Sequence, residues 1–207
     1  MANKKKTQAK PQILSPEGYI REKVRSLPIV ACYRSGDWEK VGCANVIVAR
    51  QHPQGNYTYG HYIVDTYCRG VVMSYYQFSQ PEWDFKEMME QISQSENVVK
   101  VDYTDAHNLI FGAIAYAEKA GVRPHASFEL TRYILEERTA DIPFVEFKFG
   151  KNGIHHVVAD TEMEANFFRT LLRKNLGDKF GISIYKGEYG GKILEIDDEL
   201  GACFIDK

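Results

Sequence analysis

Asp65, His125 and Glu146 are the side chains of this sequence whose types best suit chemistry. Asp65 closes the apolar run Tyr62-Ile63-Val64 and precedes Cys68-Arg69-Gly70. A carboxylate at the end of a buried strand serves as a metal ligand or general base, or as a turn residue that bonds the next amides. His125 lies in the stiff loop Gly121-Val122-Arg123-Pro124-His125, and Glu146 lies on a segment of alternating polarity. Two carboxylates and one imidazole suit a hard divalent ion better than zinc alone. The enzyme expectation is therefore a metal-assisted hydrolase acting on a phosphate-containing or nucleic-acid substrate, with Asn108 and Arg123 orienting it and a divalent metal as the implied cofactor. The chain has no G-x-x-x-x-G-K-[ST], G-x-G-x-x-G, H-E-x-x-H or G-x-S-x-G motif, which disfavours a standard nucleotide loop.

Other candidates have structural readings beside the functional ones. Adjacent residues of a strand face opposite sides, so His155 and His156 do not form a two-histidine chelate; one of them would pair with Glu146 or Lys148 across a hairpin. Cys68 needs a thiolate-stabilising neighbour to act as a nucleophile, with Arg69 the nearest. His107 and Asn108 start a long helix whose far end is about 24 Å away, so His125 joins them only if the chain folds back. The tyrosines at 57, 59, 62, 75 and 76 read as core or sheet packing, because Gln51–Tyr67 holds no Lys or Arg to accompany base stacking.

The elements that would position these groups follow from pattern. Ser15-Pro16-Glu17 starts a short helix that Pro28 ends. Ile29–Tyr33, Val41–Arg50, Tyr57–Thr66 and Val71–Phe78 read as strands, the middle two joined by a five-residue loop. Helices are expected over Pro81–Ser95, from about Thr104 to Ala120 with Gly121 as the left-handed stop, from Pro124 or Ser127 to about Arg138, and over Glu162–Leu176. Phe144–Phe149 and Ile154–Ala159 read as one β-hairpin, Ile182–Lys186 and Lys192–Ile196 as a second. The class is α+β: an antiparallel sheet, made of an N-terminal meander plus C-terminal hairpins, against several helices.

Composition bounds the rest. The 207 residues are 44% hydrophobic and 26% charged, enough for a true core and unlike a disordered or disulfide-dense chain. No apolar stretch approaches the roughly 20 residues of a spanning helix, and the four cysteines form no C-x-x-C pair. The expectation is a cytoplasmic protein with reduced thiols and no membrane contact. Residues 1–50 hold ten Lys and Arg against four Asp and Glu, while the whole chain has net charge −2. Residues 1–12, with Lys4, Lys5, Lys6 and Lys10, read as a disordered basic arm for a protein or nucleic-acid partner. Residues 13–207 read as a single domain, with a sub-division near 80–100.

The segment Asn108-x3-Gly112-Ala-Ile-x-Tyr116-Ala-Glu118-x2-Gly121-x2-Pro124-His125, with Phe128, Ile142-Pro143, Glu146-Phe147 and Phe149-Gly150 beyond it, resembles a bacterial protein family of no assigned activity. Val64-Asp65-x2-Cys68-Arg69-Gly70-Val71 is similar to the same family's N-terminal part. The resemblance implies that Asp65, Asn108, Gly112, Pro124, His125 and Glu146 belong together, and it transfers no catalytic role. The residues thus support two readings, a binding or interaction module with a basic arm and the hydrolase above.

Overall fold

A computed structural model describes residues 14–138, 141–189, 192–197 and 201–205, with side chains through 185; the basic arm lies outside them. Alternating β-branched and aromatic residues build one antiparallel sheet from β1 (Ile29–Ser35), β2 (Cys43–Gln51), β3 (Tyr57–Asp65), β4 (Gly70–Gln80) and β5 (Val98–Val101). Its order is β4-β3-β2-β1-β5, so the expected meander is there. The short edge strand β5 completes it, which four residues gave no period to reveal.

Period-two alternation gives this sheet two apolar faces. Cys32, Val46, Val48, Tyr62 and Val64 face helix α4 (Tyr103–Lys119), which meets them with Leu109, Ile110 and Ala113. Ile47, Ala49 and Tyr59 face helix α3 (Glu82–Ser95), which covers them with Phe85 and Met89. Helix α1 (Pro16–Glu22) starts as expected: Ser15 Oγ accepts the Gly18 amide, with proline at the first helical position. Asp102 rather than Thr104 occupies the N-cap of α4.

The C-terminal part forms a four-stranded sheet, β6 (His155–Ala159), β7 (Phe180–Tyr189), β8 (Lys192–Asp197) and β9 (Gly201–Ile205), in that order. Helix α6 (Glu162–Leu176) crosses over it and buries Ala165, Phe168 and Leu172 against Val157, Ile182 and Ile184. The chain is α+β, as its patterning predicts. The β7–β8 hairpin stands.

Three sequence expectations are corrected. Phe144–Phe149 does not pair with Ile154–Ala159: β6 pairs in parallel with β7, because α6 returns the chain to the same end of the sheet. Residues 144–149 keep their alternation without a partner strand among the described residues. Phe147 and Phe149 lie on the α4 core, Phe144, Glu146 and Lys148 face solvent, and Asn108 Nδ2 holds the Pro143 carbonyl at 2.9 Å. Secondly, the helix expected to reach Arg138 is one turn, α5 (Phe128–Thr131), and a 3₁₀ turn to Ile134. Its next carbonyls go to arginines, Ile134 O to Arg50 Nε and Leu135 O to Arg25 Nε, and the chain leaves the helix extended. Thirdly, Trp38–Val41 forms a helical turn, α2, ended by the left-handed Gly42 (φ 76°), so β2 starts at Cys43 rather than Val41.

Candidate functional site

The residues expected to share a site are each tied into local structure. Asp65 Oδ1 accepts the amides of Tyr67 and Cys68 at 2.9 and 2.8 Å, and its Oδ2 pairs with Arg69 Nε at 2.7 Å. It is the turn residue of the alternative reading. Arg69 also reaches Glu164 on α6 at 3.1 Å and so joins the two sheets. His125 is exposed and holds Ser127, with Nδ1 2.9 Å from its Oγ. Arg123 and Glu146 are exposed. Asn108 donates to Thr104 O and Pro143 O. Gly112 lets Phe149 lie on α4, since a Cβ there would come within 2.8 Å of the ring. Asn108 and Gly112 thus seat the segment that carries Glu146, while Asp65 and His125 serve other turns. Among the described residues no group of three or more His, Cys, Asp or Glu is placed to hold a metal ion. The oxygens of Asp65 are already engaged, so these residues do not fit the implied divalent metal.

Cys32, Cys43, Cys68, His155 and His156 are equally structural. Burial pushes Cys32 and Cys68 up to about 12 and Cys43 to about 11, against the thiolate character a nucleophile needs. His155 stacks flat on Tyr116 with ring centroids 3.7 Å apart. His156 turns the other way, its Nε2 2.7 Å from Ser183 Oγ. The expected pairing of a histidine with Glu146 or Lys148 falls with the hairpin.

The built polar cluster lies elsewhere. Helix α3 packs on Ile47, Ala49 and Tyr59, with Tyr33 and Val98 at its margin, toward one end of the outer sheet face. At the other end Ser35, Asn45, His61 and Glu96 form a continuous network. Asn45 Nδ2 donates to both Glu96 oxygens at 2.8 and 2.9 Å, Ser35 Oγ donates to Glu96 at 3.3 Å, and the Asn45 amide donates to Ser35 Oγ at 2.9 Å. Asn45 Oδ1 lies 2.9 Å from His61 Nε2. With the amide nitrogen committed to Glu96, the ring nitrogen is the donor, which leaves Nδ1 as the acceptor. Burial lowers the pKa of His61, keeping the neutral form. The cross-strand register puts Ile63 beside Asn45, Met73 beside Ile63 and Tyr75 beside His61. Ile63 and Met73 are half-buried and Tyr75 is exposed. A cavity of about 320 Å³ adjoins the network, walled by Trp38, Val41, Cys43 and Asn97. The arrangement offers fixed donors and acceptors beside open apolar surface, the composition of a recognition patch.

Sequence reading did not single out these four residues. Their signal was a polar residue inside an apolar strand: Asn45 within Val41–Ala49 and His61 within Tyr57–Asp65. No known family, curated protein or solved structure matches the chain.

The histidines also set a pH response. Burial lowers His52, His61, His107 and His155 below the ordinary imidazole value. The native state therefore keeps them neutral while the unfolded chain takes up protons near pH 6.5. Between the folded and unfolded values the unfolded state binds more protons, so stability falls as pH drops below about 6.5. His107 is the most informative of them, since its buried Nε2 has no hydrogen-bond partner among the described residues. Thermal melts from pH 7.5 to 5.5 should show a falling midpoint, with a shallower slope in His107→Leu. A midpoint flat over that range contradicts the reading.

Proposed function

We propose that this protein is a binding module that engages a protein partner through the part of its outer sheet face that α3 does not cover. The observation that carries the reading is the hydrogen-bonded Ser35–Asn45–Glu96–His61 network, set beside the half-buried Ile63 and Met73 and the exposed Tyr75. Pre-organised polar groups around an apolar centre lower the ordering cost of association. The raised thiol pKa values and the dispersed Asp65, His125 and Glu146 weigh against the hydrolase reading.

A photo-crosslinking residue at Met73, used in the native host cells, tests this. One discrete protein adduct is expected there, with none at the control position Met163, which is exposed on α6. Ile63→Glu, a charge at the centre of the patch, should reduce the adduct by about tenfold, the effect of losing about 1.4 kcal/mol of binding. Equal labelling at 73 and 163 sinks the proposal.

A further inference from the structure

Three guanidinium groups from two separate parts of the chain meet on one aromatic ring. The Arg21, Arg25 and Arg132 guanidinium carbons lie 5.6, 5.5 and 5.3 Å from the centroid of Tyr133. The first two come from α1 and the turn after it, the third from the 3₁₀ turn after α5. Each contact is favourable as a cation–π interaction, yet the three charges repel one another, and local carboxylates compensate them only in part. Arg25 pairs with Glu137, which is 70% exposed, and Arg132 lies 3.9 Å from the exposed Glu129. Arg21 has no ion pair among the described residues.

Arg21 also lines a groove of about 430 Å³ between α1, β4 and α5, whose walls include Ser74, Tyr76, Ser127 and Glu129, with the Tyr76 hydroxyl donating to Glu17 at 2.7 Å. One cation in the groove beside the arginine cluster, with the Tyr76 ring and serine hydroxyls along the wall, matches a ligand that alternates phosphates with flat, hydrogen-bonding rings. In the sequence, Lys4, Lys5, Lys6 and Lys10 lead directly into α1, adding positive charge to the same end of the chain.

We infer that the Arg21–Arg25–Arg132 cluster on Tyr133, with the adjoining groove, is a binding site for single-stranded nucleic acid. The guanidinium forks take backbone phosphates, and the groove admits a base against Tyr76. An acidic peptide would satisfy the charge but has no use for the aromatic wall. This inference is independent of the sheet-face proposal, and either can fail alone.

The test uses the full chain and a fluorescent twelve-nucleotide uridine oligomer, with binding followed by anisotropy as salt is raised. Wild-type affinity should fall with a log–log slope of about 0.7 for each phosphate engaged. The double variant R21Q/R132Q changes two exposed side chains, so its fold should be kept, and its circular dichroism checks this. It should bind about tenfold more weakly at low salt, with a slope smaller by about 1.4. Tyr133→Leu removes the ring and no charge. It should weaken binding about threefold with the slope unchanged, the size of an exposed cation–π contribution. The inference is overturned if wild type does not bind the oligomer, if R21Q/R132Q keeps the wild-type slope, or if polyglutamate of equal length binds as tightly as the oligomer.

Discussion

Arg50→Ala should be among the most damaging substitutions, lowering the unfolding free energy by roughly 3–5 kcal/mol through orphaned buried carbonyls and a core cavity. Arg50 sits near the end of β2 at 1% exposure. Its Nε donates to Ile134 O at 2.6 Å, one terminal nitrogen to Leu27 O at 2.7 Å and the other to Glu136 Oε1 at 2.6 Å. One guanidinium therefore fastens the segments on either side of it, the turn after α1 and the chain beyond α5, to the sheet. Alanine leaves two buried carbonyls and a carboxylate without their donor, besides a cavity. The loss corresponds to a fall of about 10 °C in melting midpoint for a chain of this size. Arg50→Lys should recover only a small part, because an ammonium lacks the planar fork that reaches three directions at once. A midpoint within about 2 °C of wild type for Arg50→Ala, on the same scale, refutes the assignment.

Gly70→Val should follow closely. Gly70 opens β4 with φ 69°, and a Cβ there would come within 3.1 Å of Ala117 Cβ, 3.2 Å of Ala113 O and 3.3 Å of Ile114 Cα. Most of these atoms belong to the backbone of α4, so no side-chain rotation relieves the contact. The substitution adds left-handed strain of about 1–2 kcal/mol to an overpacking cost of about 1–3 kcal/mol. It acts where α4 lies on the sheet, so α4 must lift off β4. Denaturant titration should show a midpoint shift with the m-value kept; a wild-type midpoint would mean that α4 has room to move. Gly70→Ala meets the same first contacts with less bulk and should lose about half as much.

Local patterning carried most of the first sheet and the long helices. The five-residue loop between β2 and β3, the hydroxyl–proline start of α1 and the glycine stop after α4 are all encoded within a few residues. The Phe144–Phe149 segment shows where that reading ends. Its alternation is real and its inward side chains are buried, but alternation specifies which side chains face the core and not which strand is the neighbour. Residues 132–138 make the same point for a helix. Their propensity favours continuation, and two arginines distant in sequence capture the carbonyls that would continue it.

The candidate site divides in the same way. Asp65 as a turn residue and His155 and His156 on opposite faces were legible, since both follow from geometry spanning two to four residues. The network of Ser35, Asn45, His61 and Glu96 was not, because it draws one residue each from three strands and one from the end of α3. Nor was the convergence of Arg21, Arg25 and Arg132 on Tyr133. By itself the sequence determined the α+β class, the apolar faces and the local caps, all of which depend on neighbours along the chain. Only the tertiary structure decided which polar groups meet, how β6 pairs and which part of the outer sheet face α3 covers. Those outcomes rest on contacts between residues tens of positions apart, and loop closure makes such contacts a property of the whole fold.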